Sequence, residues 1–142
     1  QKIVNSAELG EFAQSCLRAD AGKTCGQCWK CFRKNSLKGR RVSISKEIDT
    51  FLRQDKLKMA ASTIYSIQKM EKIDVKLYSE VMENYQHLKK VINEDVTFLE
   101  KFYSPALSLI PVKYREYVKS RLLYYEIDFA EEKKLEKFDL YH

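Results

Sequence analysis

All four cysteines of this chain fall within one run, CLRADAGKTCGQCWKC, from Cys16 to Cys31. Eight residues separate Cys16 from Cys25, and two separate Cys25 from Cys28 and Cys28 from Cys31. Thiolates spaced this closely can converge on one metal ion. Zinc is the first reading: it takes four cysteine sulfurs at about 2.3 Å in a tetrahedron, and a full set of four leaves no position for water or substrate. A four-iron iron–sulfur cluster is the alternative, because Cys25, Cys28 and Cys31 repeat the spacing of bacterial ferredoxin runs. In those runs the remaining ligand follows the triplet or comes from far away, whereas Cys16 precedes it. Disulfides suit the pattern less, since two-residue intervals are short for bridging and the first thirty residues carry no secretory leader pattern. Gly26, between two of the cysteines, allows a tight turn that aims backbone N–H groups at the sulfurs.

The second chemical feature is charge. Lys30, Arg33, Lys34, Lys38, Arg40 and Arg41 follow one another from residue 30 to 41 with no acidic residue among them. They concentrate the net charge of +6 and the isoelectric point near 9.1. Such a strip suits phosphates, either of a nucleic acid or of ATP held by a partner domain; it equally suits a solvated connection. Neither interleaved aromatics nor paired zinc-finger cysteines and histidines single out nucleic acid.

Catalytic constellations are absent from the sequence. His87 and His142 are the only histidines, and neither has a second histidine four residues away. Carboxylates such as Glu131 and Glu132 stand beside lysines and read as a solvated face. Metal ligation removes the thiols from nucleophilic roles. The segment by itself is expected to be non-catalytic.

Cys16, Cys25-Gly26-Gln27-Cys28-Trp29-Lys30-Cys31 and their lead-in, Ile3-Val4, Leu9-Gly10 and Ser15, resemble the zinc motif that ends 7-cyano-7-deazaguanine synthases and related PP-loop ATPases. The resemblance implies that Cys16, Cys25, Cys28 and Cys31 ligate zinc, with Lys34 where that family has an arginine three positions beyond its last cysteine and Arg33 beside it. It further implies a ligase-type reaction, ATP-dependent activation of a carboxylate or carbonyl for attack by an amine or ammonia. The likeness spans the first forty residues. The family's ATP loop, Ser-Gly-Gly-x-Asp-Ser, has no counterpart, the only glycines being Gly10, Gly22, Gly26 and Gly39. ATP is therefore expected to bind only through a domain upstream of Gln1, making this chain the C-terminal part of a larger α/β protein. That family's chain also finishes soon after its zinc site, whereas this one continues for about a hundred residues.

Those residues read as helices that must carry and brace the metal loop. Asn5 and Glu8 frame a short helix over Gln1 to Gln14. Trp29 and Phe32 share a side of a helical turn leaving the cysteines. Ser43 or Ser45 caps a helix with Ile44, Ile48, Phe51 and Leu52 inward. The next carries Leu57, Ala60, Ile64 and Ile67. The longest begins near Asp74 and places Tyr78, Val81, Tyr85, Leu88, Ile92 and Leu99 on a heptad-like seam, with a break at residues 93–95; packing within a bundle is favoured over a dimeric coil. Ser104-Pro105 and Pro111 read as helix starts, the second helix running to about Glu126. Leu135, Phe138 and Leu140 mark a last, charged helix. Nine tyrosines, mostly on these helices, suit half-buried positions or a protein-contact surface.

The expected fold is mainly α: a four-cysteine zinc module over residues 1–40 and a helical bundle extension over 41–142. No apolar run approaches the eighteen or so residues of a membrane span, so a cytoplasmic protein with no membrane partner is expected. The expected partners are the upstream ATP-binding domain and, through the helices, a second copy or another protein; nucleic acid is the less favoured one.

Overall fold

A computed structural model describes Cys16, Arg18, residues 24–57 and 59–130, Leu135 and residues 138–140. The helix expected over Gln1–Gln14 lies outside the described residues. Among them the protein is mainly α-helical, with a cluster of four cysteines preceding the helices and one isolated bridge, Phe102 to Phe129, as its only β pairing. No helix among the described residues is long and apolar enough to cross a membrane.

Five α-helices follow the cysteine loop: α1 (Trp29–Leu37), α2 (Lys46–Leu52), α3 (Ala60–Glu71), α4 (Val75–Asn84) and α5 (Val112–Tyr124). Three 3-10 turns, Gln86–Lys90, Thr97–Glu100 and Ser104–Leu109, lie between α4 and α5. Helix α1 ends where Gly39 takes φ +65°, with Arg40 N–H on the Asn35 carbonyl at 3.0 Å and Gly39 N–H on that of Ser36 at 3.3 Å. This paired closure needs a left-handed residue that glycine supplies without a Cβ penalty. Ser45, not Ser43, caps α2 by accepting the Ile48 N–H, and Asp74 caps α4 by accepting that of Leu77.

Helix α3 is the centre of the bundle. It packs against α1 on one side and α4 on another, and α2 closes over α1. Phe32, Ile48, Leu52, Ile64, Ile67, Val81, Leu88 and Val96 have lost essentially all solvent contact. Burying each such side chain contributes about 1.5–3 kcal/mol. The apolar core runs across residue 40, because Phe32 of α1 belongs to the same cluster as Ile48, Ile64 and Leu88. Trp29 stacks on Phe51, centroids 5.4 Å apart at 18°, so its ring faces the bundle and not the cysteines.

The long helix expected from Asp74 is not continuous. Helix α4 stops at Asn84, and the seam continues through a 3-10 turn and bends. Asn84, Tyr85 and His87 are weak helix formers. Tyr85 is buried and extends its hydroxyl to Asp49 Oδ1 at 2.8 Å, and the Gln86 amide closes the helix end by donating to the Glu83 carbonyl at 2.6 Å. The seam positions are still largely interior: Val81, Tyr85, Leu88 and Ile92 are buried and Tyr78 half-buried, while Leu99 is exposed and Val96 takes the interior place. The Gln68 amide holds the bend by donating to the carbonyls of Ile92 and Glu94.

Pro105 sits in a 3-10 turn and not at the head of an α-helix; Pro111 does precede one, α5. Leu135 is helical, whereas Phe138 and Leu140 lie in irregular chain that returns to the core, Phe138 meeting Phe98 edge-on at 4.8 Å.

Candidate metal centre

Gly26 makes the turn that gathers the cysteines. Its φ of +69° lies in the left-handed region, and a Cβ built there meets nothing within 4 Å, so the requirement is conformational and not spatial. The turn brings Cys28 to the N-cap of α1 and Cys31 into its first turn. Because α1 begins at Trp29, its register fixes the separation of Cys28 and Cys31. Cys25 stands on the other side of Gly26, and Cys16 arrives from the preceding loop.

The four Sγ atoms all lie within 4.8 Å of one another, and those of Cys25 and Cys31 are 3.7 Å apart. Cys16, Cys28 and Cys31 are buried and Cys25 is half-buried. Together they form a small cluster of their own beside the main core. No histidine or carboxylate belongs to this donor group. All four cysteines predicted from the sequence are thus brought together, in an arrangement that can bind a metal ion.

Backbone donors face the sulfurs. Cys25 N–H donates to Cys16 Sγ at 3.4 Å. That bond, with a second from the Arg18 backbone, lowers the Cys16 thiol to about 6. The Gln27 backbone N–H lowers Cys25 in the same way. Burial pushes the Cys31 thiol up to about 12. N–H groups aimed at sulfur stabilise thiolates and orient them as ligands.

Two contacts brace the loop against α2. The Ser45 hydroxyl donates to the Gln27 carbonyl at 2.5 Å while accepting the Ile48 N–H at 3.2 Å. The Arg18 guanidinium pairs with the Glu47 carboxylate in the first turn of α2. The capping role of Ser45 has a sequence signal; its reach to Gln27, eighteen residues away, has none, and neither has the Arg18–Glu47 pair.

The basic strip is not one surface. Lys30 is exposed, with its ammonium 5.9 Å from the Trp29 ring, and Arg40 and Arg41 are exposed beyond the end of α1. Lys34 and Lys38 are half-buried. Arg33 turns away from them: its guanidinium lies 4.4 Å from the Trp29 ring, donates to Ser62 Oγ and approaches Met59 Sδ at 3.8 Å. Desolvation lowers its pKa. Arg33 is therefore part of the contact between α1 and α3.

Neither a curated protein nor a solved structure matches the chain. One family model does match, over residues 1–141, so nearly the whole chain shares one family's pattern. On that match the chain belongs to DUF6395, a family of unknown function.

Proposed function

We propose that the four cysteines hold one structural zinc ion, and that the chain is the non-catalytic, zinc-bearing end of an ATP-dependent PP-loop enzyme resembling 7-cyano-7-deazaguanine synthase. The observation that carries the reading is the convergence of all four Sγ atoms to within 4.8 Å. Sulfurs at about 2.3 Å from one tetrahedral ion stand about 3.8 Å apart, and Cys25 and Cys31 are at 3.7 Å. A four-iron cluster places each cysteine on a separate iron and spreads the sulfurs more widely than a single ion does. Four thiolates complete zinc's coordination, so the ion would brace the loop on α1 and α2 without taking substrate.

Support for the PP-loop part is the motif with its lead-in. Helices α3 to α5 then form an extension available to the rest of the enzyme, to a second copy or to another protein. The experiment is to express the chain with the coding sequence that precedes Gln1 and to measure pyrophosphate release from ATP. Release that needs a Ser-Gly-Gly-x-Asp-Ser loop in that upstream sequence is the expected result; an unrelated upstream domain overturns the reading.

One observation favours a second reading, a nucleic-acid-binding module. Lys30, Lys34 and Lys38 recur every four residues along α1 and its C-cap, with Arg40 and Arg41 exposed beyond. A salt titration of oligonucleotide binding separates the two, since each phosphate neutralised on a single strand contributes about 0.7 to the slope.

A further inference from the structure

Residues 103–128 form a lobe that the main core does not explain. None of residues 99–130 belongs to the core cluster, and within α5 only Leu122 is buried. The lobe is closed at its neck by Phe102, whose N–H donates to Asp128 at 2.7 Å and whose carbonyl accepts from Ala130 at 2.9 Å. It is also built to hold its shape. Arg115 ties the start of α5 to the preceding turn by donating to the carbonyls of Ile110 and Ser108, at 2.9 and 3.1 Å. Glu126 takes a left-handed φ of 54° so that the Ile127 N–H can close on Leu122 at 2.9 Å.

This braced helix turns its tyrosines outward. Tyr114, Tyr117 and Tyr124 are all exposed, the last 71%, and they recur at intervals of three and seven residues. Lys113 and Arg121 share their side of the helix, each cation 4.8 Å from a ring centroid, Tyr114 and Tyr124 respectively. Alongside lies an aliphatic edge, Leu109 at 85% exposure, Val112 at 74% and Leu123 at 60%. Eight of the eleven large exposed hydrophobic residues among those described fall between Leu99 and Tyr124. A contiguous patch of this kind marks an interaction surface, and tyrosine with arginine is the composition of interface anchors.

Charge decides the occupant. Helix α5 carries Lys113, Arg115, Lys119 and Arg121 against one carboxylate, Glu116, which pairs with Lys119 at 2.7 Å. A second copy meeting this face would set cation against cation. A nucleic acid would satisfy the cations and stack on the rings, but it offers nothing to Leu109, Val112 and Leu123. Carboxylates next to apolar side chains satisfy both halves. We propose that the outer face of α5 docks an acidic, amphipathic polypeptide segment of a partner protein, carboxylates meeting Lys113 and Arg121 and apolar side chains covering Tyr117, Tyr124 and Leu123. This names the surface for the partner contacts suggested above, and it stands on the lobe alone, so failure of the zinc or PP-loop reading leaves it intact.

The test is fluorescence anisotropy with a labelled synthetic helix that alternates a leucine face with a glutamate face, a scrambled peptide of the same composition, and an oligothymidylate. Binding of the patterned helix, salt-sensitive and weaker for the scrambled peptide, is expected. Tyr117→Ala combined with Tyr124→Ala should weaken it about tenfold or more. Arg121→Glu should weaken it and flatten its salt dependence. These side chains are exposed, so unchanged helical circular dichroism is expected of each variant; Lys113→Glu provides an independent second charge reversal. No binding of the patterned helix, equal binding of the scrambled one, tighter binding of the oligothymidylate, or concentration-dependent self-association lost in the tyrosine variant would each overturn the proposal.

Discussion

Ser45 joins the cysteine loop to the bundle through Gln27: its hydroxyl proton goes to the Gln27 carbonyl at 2.5 Å, and its oxygen caps α2 by accepting the Ile48 N–H. One hydroxyl thus fixes a helix start and the chain between Gly26 and Cys28. Removing it leaves a carbonyl and an N–H without their partner. Ser45→Ala should cost about 1–2 kcal/mol in urea unfolding and hasten metal transfer to a chelator. Ser43→Ala, at an exposed position that caps nothing, should change neither.

The same coupling appears in the core. Phe32 follows Cys31 directly and is fully buried among side chains of the bundle, so cavity formation there should reach the metal loop. Phe32→Ala should cost about 3–5 kcal/mol. The sole tryptophan, Trp29, stacks on Phe51 and reports on this junction by fluorescence. Its unfolding transition should coincide with that of far-ultraviolet circular dichroism in both parent and variant. A fluorescence transition that precedes the loss of helix would show the loop and bundle to be separate folding units.

Gly26 offers a test of backbone conformation free of packing. Its added Cβ meets nothing, so Gly26→Ala should cost only the left-handed penalty, about 1–2 kcal/mol. Gly26→Asn should cost less than Gly26→Ala, because asparagine tolerates this region. Equal losses for both variants, measured by chemical denaturation, would point to a steric cause.

Tyr85, Asp49 and Arg53 give the bundle a pH signature. Burial, then the bond to Asp49, raises the Tyr85 phenol to about 12 from an ordinary 10.0. The folded state therefore keeps a proton that the unfolded chain loses first, and stability should be full below pH 10 and fall between about pH 10 and 12. Tyr85→Phe should remove that alkaline loss. Hydrogen bonds from Arg53 and then Tyr85 lower the Asp49 carboxyl. Its contribution is present above the ordinary carboxylate range and is lost as the pH falls through the lowered folded value. Asp49→Asn should flatten that acid limb in pH-dependent unfolding.

What could be read from the sequence was local. The cysteine spacing, the turn at Gly26 and a serine cap near residue 45 all depend on neighbours within one or two turns of chain, and each has a residue signature. The seam from Tyr78 to Ile92 correctly marked interior positions, because periodicity follows burial. It did not reveal that α4 ends at Asn84, since the hydrogen bond that fixes Tyr85 comes from Asp49, thirty-six residues earlier. Arg33 was illegible for the same reason: in sequence it belongs to a basic run, while Ser62 and the Trp29 ring draw it into the helix contact. The outward face of α5 was hidden by its tyrosines, which suit a half-buried position as well as an exposed one.

The metal content of the protein tests the central claim most directly. Elemental analysis of chain purified without oxygen should give one zinc per molecule and little iron, with Cys28→Ser losing the metal and the variant's loop its order. Iron and sulfide in near-stoichiometric amounts, with visible absorption, would instead make Cys16, Cys25, Cys28 and Cys31 cluster ligands; a chain that folds fully and holds no metal would contradict the account outright.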